Sequence, residues 1–247
     1  MNGRVAGKVV IVTGGARGQG AAHARRLAGE GACVIVADLR EDQAQALAAD
    51  LPNGAWAMRH DVANPADWDR LIARVGERHG RLDGLVNNAG IAIMADLGAT
   101  DLATYQRTIS INQTGTYLGM AAASSLMKAT GGGSIVNISS IAGIKADPLF
   151  FAYTASKWAV RGMTRAAARS LAPDRIRVNV VMPGIIDTPM LTEAVPGLDV
   201  AGFAAGATPL GRAGQPDEVA MAIVYLISDE SAFVTGAELA VDGGIVA

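Results

Sequence analysis

Val9-Val10-Ile11-Val12 and Val34-Ile35-Val36 are apolar at every position. A strand with one wet face alternates, so unbroken β-branched runs describe parallel strands covered by helices on both faces. Ala-rich stretches of helical spacing separate these runs. Residues 8–13 lead into 18–30, residues 33–37 into 41–50, and residues 55–59 into 65–79. The second half repeats the rhythm, with a short strand at Leu85-Val86, a long helix over 100–128, a strand over 134–138, a helix over 152–172 and a strand over 177–181. A last helix opens at Pro216-Asp217-Glu218, where proline and first-turn acids suit a helix start, and a strand follows at 238–241. The pattern predicts one α/β domain over residues 1–247, a doubly wound Rossmann-type parallel sheet of about seven strands with helices on both faces. Only residues 185–207 break the rhythm, with Pro189, Pro196, Gly197, Gly202 and Gly206. A connection of that length predicts a substrate-binding lid.

Lys and Arg total 21 against 23 Asp and Glu, a net charge of −2 with no run of one sign. A nucleic-acid backbone or an anionic membrane therefore finds no electrostatic footprint. Cys33 is the single cysteine, and His23, His60 and His79 are far apart, so no metal-ligand cluster is expected. No apolar run approaches the ~18 residues of a membrane span, and Val9 to Val12 is too short for a signal-peptide core. The expectation is a soluble cytoplasmic protein.

The first strand runs into Thr13-Gly14-Gly15-Ala16-Arg17-Gly18-Gln19-Gly20, and a helix follows at once. A pyrophosphate needs this arrangement: a sharp turn, close backbone approach and a helix N-terminus aimed at the anion. Asp38 ends the second strand, where a carboxylate can accept from ribose hydroxyls; it is equally placed to cap the helix that follows. Further on, Tyr153 and Lys157 lie four apart on one predicted helix face. An ammonium beside a phenol favours the phenolate, which makes the pair a candidate acid/base; it also reads as a surface tyrosine beside a solvated lysine.

Taken in order, Thr13-Gly14-x3-Gly18-x-Gly20, Asp61-Val62, Asn87-Asn88-Ala89-Gly90, Asn112, Ser140, Tyr153-x3-Lys157 and Pro183-Gly184-x3-Thr188 resemble the short-chain dehydrogenase/reductases of the single-domain type over the whole chain. The resemblance implies that Tyr153 is the general acid/base and that Lys157 holds the nicotinamide ribose and lowers the Tyr153 pKa. It implies that Ser140 hydrogen-bonds the substrate oxygen, and that Asn112 holds a water in a proton relay. Ser139 competes with Ser140, and the family spacing to the tyrosine selects Ser140. For the cofactor the resemblance implies contacts from Gly14, Arg17, Gln19, Gly20, Asp38 and Leu39, an adenine contact at Asp61 and Val62, a wall at Asn88, Ala89 and Gly90, and a carboxamide loop with Pro183, Gly184, Ile186 and Thr188.

The expected cofactor is NAD, because Asp38 would repel a 2′-phosphate and Leu39 stands where the next basic residue would be. Arg17 counts the other way, since an arginine in this turn serves that phosphate in NADP-using relatives. The expected substrate is an uncharged, largely apolar secondary alcohol or its ketone, with alicyclic and steroid-like compounds as candidates. Ile185, Met190, Leu191, Val195, Leu198, Val200 and Phe203 in the lid, Ile91 to Met94 and Pro148 to Phe151 supply apolar wall, and the lid has no Lys, Arg or His. Two alternatives stand: a ketoreductase acting on acyl-carrier-protein thioesters, which would want NADPH and a basic surface, and a non-catalytic nucleotide sensor. The resemblance implies a homotetramer paired through the helices at about 100–128 and 152–172 and the strand at 238–246. The apolar end of the tail Val241-Asp242-Gly243-Gly244-Ile245-Val246-Ala247 suggests burial against a partner subunit.

Overall fold

The structure is a computed structural model that describes residues 3–247. Seven strands, β1 (Val9–Thr13), β2 (Cys33–Asp38), β3 (Trp56–Arg59), β4 (Gly84–Asn87), β5 (Gly133–Ile138), β6 (Ile176–Pro183) and β7 (Glu238–Val241), form one sheet. Their order is β3-β2-β1-β4-β5-β6-β7, and every pairing is parallel. The chain leaves β1 in one direction to build β2 and β3 and in the other to build β4 to β7. A crevice opens at the strand ends where the direction reverses, the usual ligand position of such sheets.

The apolar runs are explained by the two cores they divide between. Val10, Val12, Val34 and Val36 point to one face, where Leu27 of α1 (Gly18–Gly29), Leu47 of α2 (Glu41–Ala49) and Ile223 of α9 (Pro216–Ile227) cover them. Ile11, Ile35, Leu85 and Ile135 point to the other, against Trp68 and Leu71 of α3 (Pro65–His79) and Met120 and Met127 of α5 (Gly115–Thr130). Helix ends follow local chemistry. Asn64 accepts from the Ala66 amide ahead of Pro65 at the start of α3, and Gly80 closes that helix at φ 67°. Gln215 and Glu218 form a capping box at α9.

The long helix expected over 100–128 is interrupted. α4 (Leu102–Ile109) passes through a π-helical turn at Ser110–Thr114 into α5. α6 (Phe151–Leu171) carries Tyr153 and Lys157. The expected lid contains two short helices, α7 (Pro189–Ala194) and α8 (Val200–Ala207). Among the described residues no helix is long and apolar enough to cross a membrane.

Candidate active site

The turn after β1 is built where only glycine fits. Gly14 has φ +60°, and a Cβ on it would fall 2.8 Å from Ala89 Cα. A Cβ on Gly20 would lie 2.0 Å from the Gly14 carbonyl oxygen and 2.6 Å from Asn88 Nδ2. Asn88 Nδ2 donates to the Thr13 and Gly14 carbonyls at 2.9 and 3.1 Å, and Thr13 Oγ1 accepts from the Asn88 and Ala89 amides, so the ends of β1 and β4 are stitched together beside the turn. Arg17 is the N-cap residue of α1, and no side chain caps that helix. Its first turn keeps its positive end for a ligand.

Asp38 does not cap α2, whose N-cap residue is Arg40. It turns instead to the glycine turn: Oδ2 accepts from the Ala16 amide at 3.0 Å and Oδ1 from the Arg40 amide at 2.9 Å. Each oxygen keeps a lone pair, and the carboxylate is held buried at the end of β2. Asp61 is fixed by its own short turn, Oδ1 accepting from Ala63 N at 2.9 Å, while the Val62 carbonyl takes the Trp68 indole N–H at 2.9 Å. Bare glycine backbone, an uncapped helix start and a positioned carboxylate fit the pyrophosphate and adenosine ribose of a dinucleotide.

Ser140, Tyr153 and Lys157 meet in the same cleft. Ser139 Oγ donates to the Lys157 carbonyl at 2.8 Å, pinning the end of β5 to α6. Ser140, its neighbour, accepts from Ala142 N at 3.1 Å, and its hydroxyl lies against the Tyr153 phenol. Strand alternation has separated the two serines as the spacing implied. The ammonium behaves differently from expectation. Lys157 Nζ donates to the Ile138 carbonyl at 2.8 Å and lies 5.4 Å from the Tyr153 ring centre. Burial lowers its pKa to about 8. Burial also raises the phenol, and the group pulling it down is the Ser140 hydroxyl, not Lys157.

Asn112 does not reach the cleft. It is buried in the π-helical turn, Nδ2 donating to Ile91 O at 2.9 Å and to Ser156 Oγ at 3.1 Å, Oδ1 accepting from Ile91 N at 2.9 Å. Its side chain braces the segment after Gly90: both amide hydrogens are taken by protein, and Oδ1 keeps one lone pair.

The remaining expected residues, Gly14, Arg17, Gln19, Gly20, Asp38, Leu39, Asp61, Val62, Asn88, Ala89, Gly90, Pro183, Gly184, Ile186 and Thr188, all line this one cleft of about 860 Å³. Gly184 packs so tightly on the chain beyond β7 that a Cβ would fall 2.7 Å from Asp242 Cα. The lid contributes Ile185, Met190, Leu191, Val195, Leu198 and Phe203, but Val200 stays outside. Ile91, Met94, Pro148, Leu149 and Phe150 face them, and Lys145 and Asp147 add a polar edge. The sequence reading missed Ile245. Asp242 accepts from Gly244 N and Val246 N, both at 2.9 Å, and this turn brings the tail back to the cleft of its own chain. His60 and Arg40 also reach the adenosine end without having been singled out.

A family model described as enoyl-(acyl carrier protein) reductase matches residues 14–246. The chain is 45% identical over its full length to a 3-alpha-(or 20-beta)-hydroxysteroid dehydrogenase of Mycobacterium tuberculosis (strain ATCC 25618 / H37Rv), covering 92% of that protein. It is 46% identical, over 98% of its length and 93% of the relative, to the trans-4-hydroxycyclohexanecarboxylate dehydrogenase of Sinomonas cyclohexanicum. It is 44% identical, over 99% of both chains, to the cyclopentanol dehydrogenase of Comamonas testosteroni.

Proposed function

The chain belongs to the short-chain dehydrogenase/reductase family and is an oxidoreductase acting on CH–OH groups, and from that premise we propose that it uses NAD to interconvert an apolar, alicyclic or steroid-like secondary alcohol and its ketone. The observation that carries this is the junction of two unlike halves in one cleft: glycine backbone and Asp38 at one end, apolar lid and walls at the other, with Ser140, Tyr153 and Lys157 between. NAD, held by Gly14, Gly20, Asp38, Asp61, Asn88 and the loop from Pro183 to Thr188, supplies hydride chemistry when bound. Tyr153 gives a proton to the carbonyl oxygen in reduction and takes it from the hydroxyl in oxidation. Ser140, whose hydroxyl lies against the phenol in the free enzyme, turns its one hydrogen to the same substrate oxygen when substrate is bound. Lys157, already anchored on Ile138, is placed to hold ribose hydroxyls.

The relatives are named for hydroxysteroids, a hydroxycyclohexanecarboxylate and cyclopentanol, and the lid here offers contact area and no cation. Apolar burial at about 25 cal/mol per Å² is what such a pocket gives a ligand. The same reading takes the enzyme as cytoplasmic and as a homotetramer; exposed Leu102, Tyr117 and Trp158 on α4 to α6 support the self-association. The test is a panel of cyclic and steroidal ketones, an acetoacetyl thioester of coenzyme A and a sugar, each assayed with NADH and NADPH at the nicotinamide absorbance. Higher kcat/KM for a cyclic or steroidal ketone with NADH is expected. A tenfold preference for the thioester or the sugar overturns the substrate, and a preference for NADPH overturns the cofactor.

A further inference from the structure

Arg17 and Glu193 join the two sides of the cleft. Arg17 stands in the glycine turn at the start of α1, and Glu193 on the lid helix α7. The guanidinium takes the carboxylate with both ends, Nη1 on Oε1 and Nη2 on Oε2, the latter at 2.7 Å. Glu193 holds the Arg17 pKa above its ordinary value, and Asp38 adds to the effect at longer range. Arg17 therefore sits in the field of two carboxylates, one from the lid and one from the ribose end of the cleft. The neighbouring cation, Arg40, has its Nη1 3.8 Å from Asp38 Oδ1.

We propose that Glu193 is a cofactor-selectivity residue, which keeps the Arg17 fork from a phosphate on the adenosine ribose. The proposal rests on the NAD reading above and explains how an arginine suited to phosphate is reconciled with it. Guanidinium binds carboxylate and phosphate through the same planar pair of donors, so a 2′-phosphate must displace Glu193 to use Arg17. The ion pair is partly exposed, with side-chain exposures of 34% and 55%. Such a pair is worth a factor of about five at most, so the effect is a bias and not an absolute block.

The test uses the full-length protein and calorimetric titration with 5′-AMP and with adenosine 2′,5′-bisphosphate, neither of which turns over. Glu193→Gln is expected to bind the bisphosphate about fivefold more tightly than the wild type while 5′-AMP stays within about twofold. Adding Arg17→Ala to Glu193→Gln is expected to abolish the gain. Parallel changes for both ligands, no change for either, or a gain that survives Arg17→Ala would each overturn the proposal. Wild-type kcat/KM with NAD and NADP keeps the two claims apart: a preference for NADP overturns the cofactor reading, whereas the role of Glu193 stands or falls on the bisphosphate shift.

Discussion

Tyr153 and Lys157 share a helix face, yet each answers first to burial. Desolvation raises the phenol and lowers the ammonium to about 8, and the lysine spends its nearest hydrogen bond on Ile138 O. The phenol's acidity is thus set by burial and by its contact with Ser140, while the Lys157 ammonium stands 5.4 Å from the ring centre. Removing the phenol oxygen leaves the glycine turn and Asp38 untouched. Tyr153→Phe should therefore lower kcat by about 10²-fold or more, since general acid/base catalysis supplies about 10²–10⁴-fold, while NAD affinity stays within a few fold. Steady-state rates beside a direct NAD titration check both halves, and retention of a tenth of the rate rejects Tyr153 as the acid/base. Gly20 gives the opposite split. Its missing Cβ would collide with Gly14 backbone at 2.0 Å, which a rotamer cannot relieve. Gly20→Ala should abolish measurable NAD binding and lower stability by about 1–3 kcal/mol, the usual range for overpacking, read by titration and denaturant unfolding.

The π-helical turn between α4 and α5 exists to aim Asn112 sideways at Ile91. An extra residue in the turn swings the amide out of the helix register, and both polar groups of the Ile91 backbone are satisfied by it. Asn112→Ala would leave that part-buried N–H and C=O without partners. A loss of about 2–4 kcal/mol in unfolding free energy is expected, together with a fall in kcat as the wall beside Gly90 loosens. Unchanged stability would mean that the amide's work is done elsewhere. This element also marks what the sequence could express. Strands β1 and β2 were legible because burial on both faces writes itself as an unbroken apolar run. The glycine turn, Asp38 and the Ser140, Tyr153, Lys157 spacing were legible because each is local to one element. The π turn was not, since its cause is a contact with Ile91, 21 positions away in the chain. The lid helices α7 and α8 are too short for a period to show. Ile245 read as an interface residue because an apolar tail does not say which surface it covers, and the pairing of Arg17 with Glu193 is visible only when the lid is folded over the turn.

Two buried histidines outside the chemistry make the stability of the molecule sensitive to acid, and the half-exposed His79 is lowered by burial in the same direction. His23 lies inside α1 and His60 follows β3; both are buried, and none of their ring nitrogens has a partner. Burial holds His23 neutral down to about 3 and His60 down to about 4, although Asp67 and Asp61 pull the latter upward. His60 is further enclosed by Trp68, whose ring meets it edge-on at 4.4 Å. In the unfolded chain both titrate near the ordinary 6.5, so between that value and the folded one the unfolded state binds more protons. The stabilisation is complete above pH ~6.5 and falls as pH drops toward the folded values, at a slope of about 1.4 kcal/mol per pH unit for each ring. By pH ~4 the two together amount to several kcal/mol, a large share of the 5–15 kcal/mol that about describes a folded domain. Removing one ring removes its share of the slope and leaves the other. Stability from denaturant unfolding at fixed protein concentration between pH ~6.5 and ~4 should thus fall less steeply for His23→Leu than for the wild type, by about 1.4 kcal/mol per pH unit. Parallel curves across that window would show that His23 is protonated in the folded protein and that acid sensitivity resides in other groups.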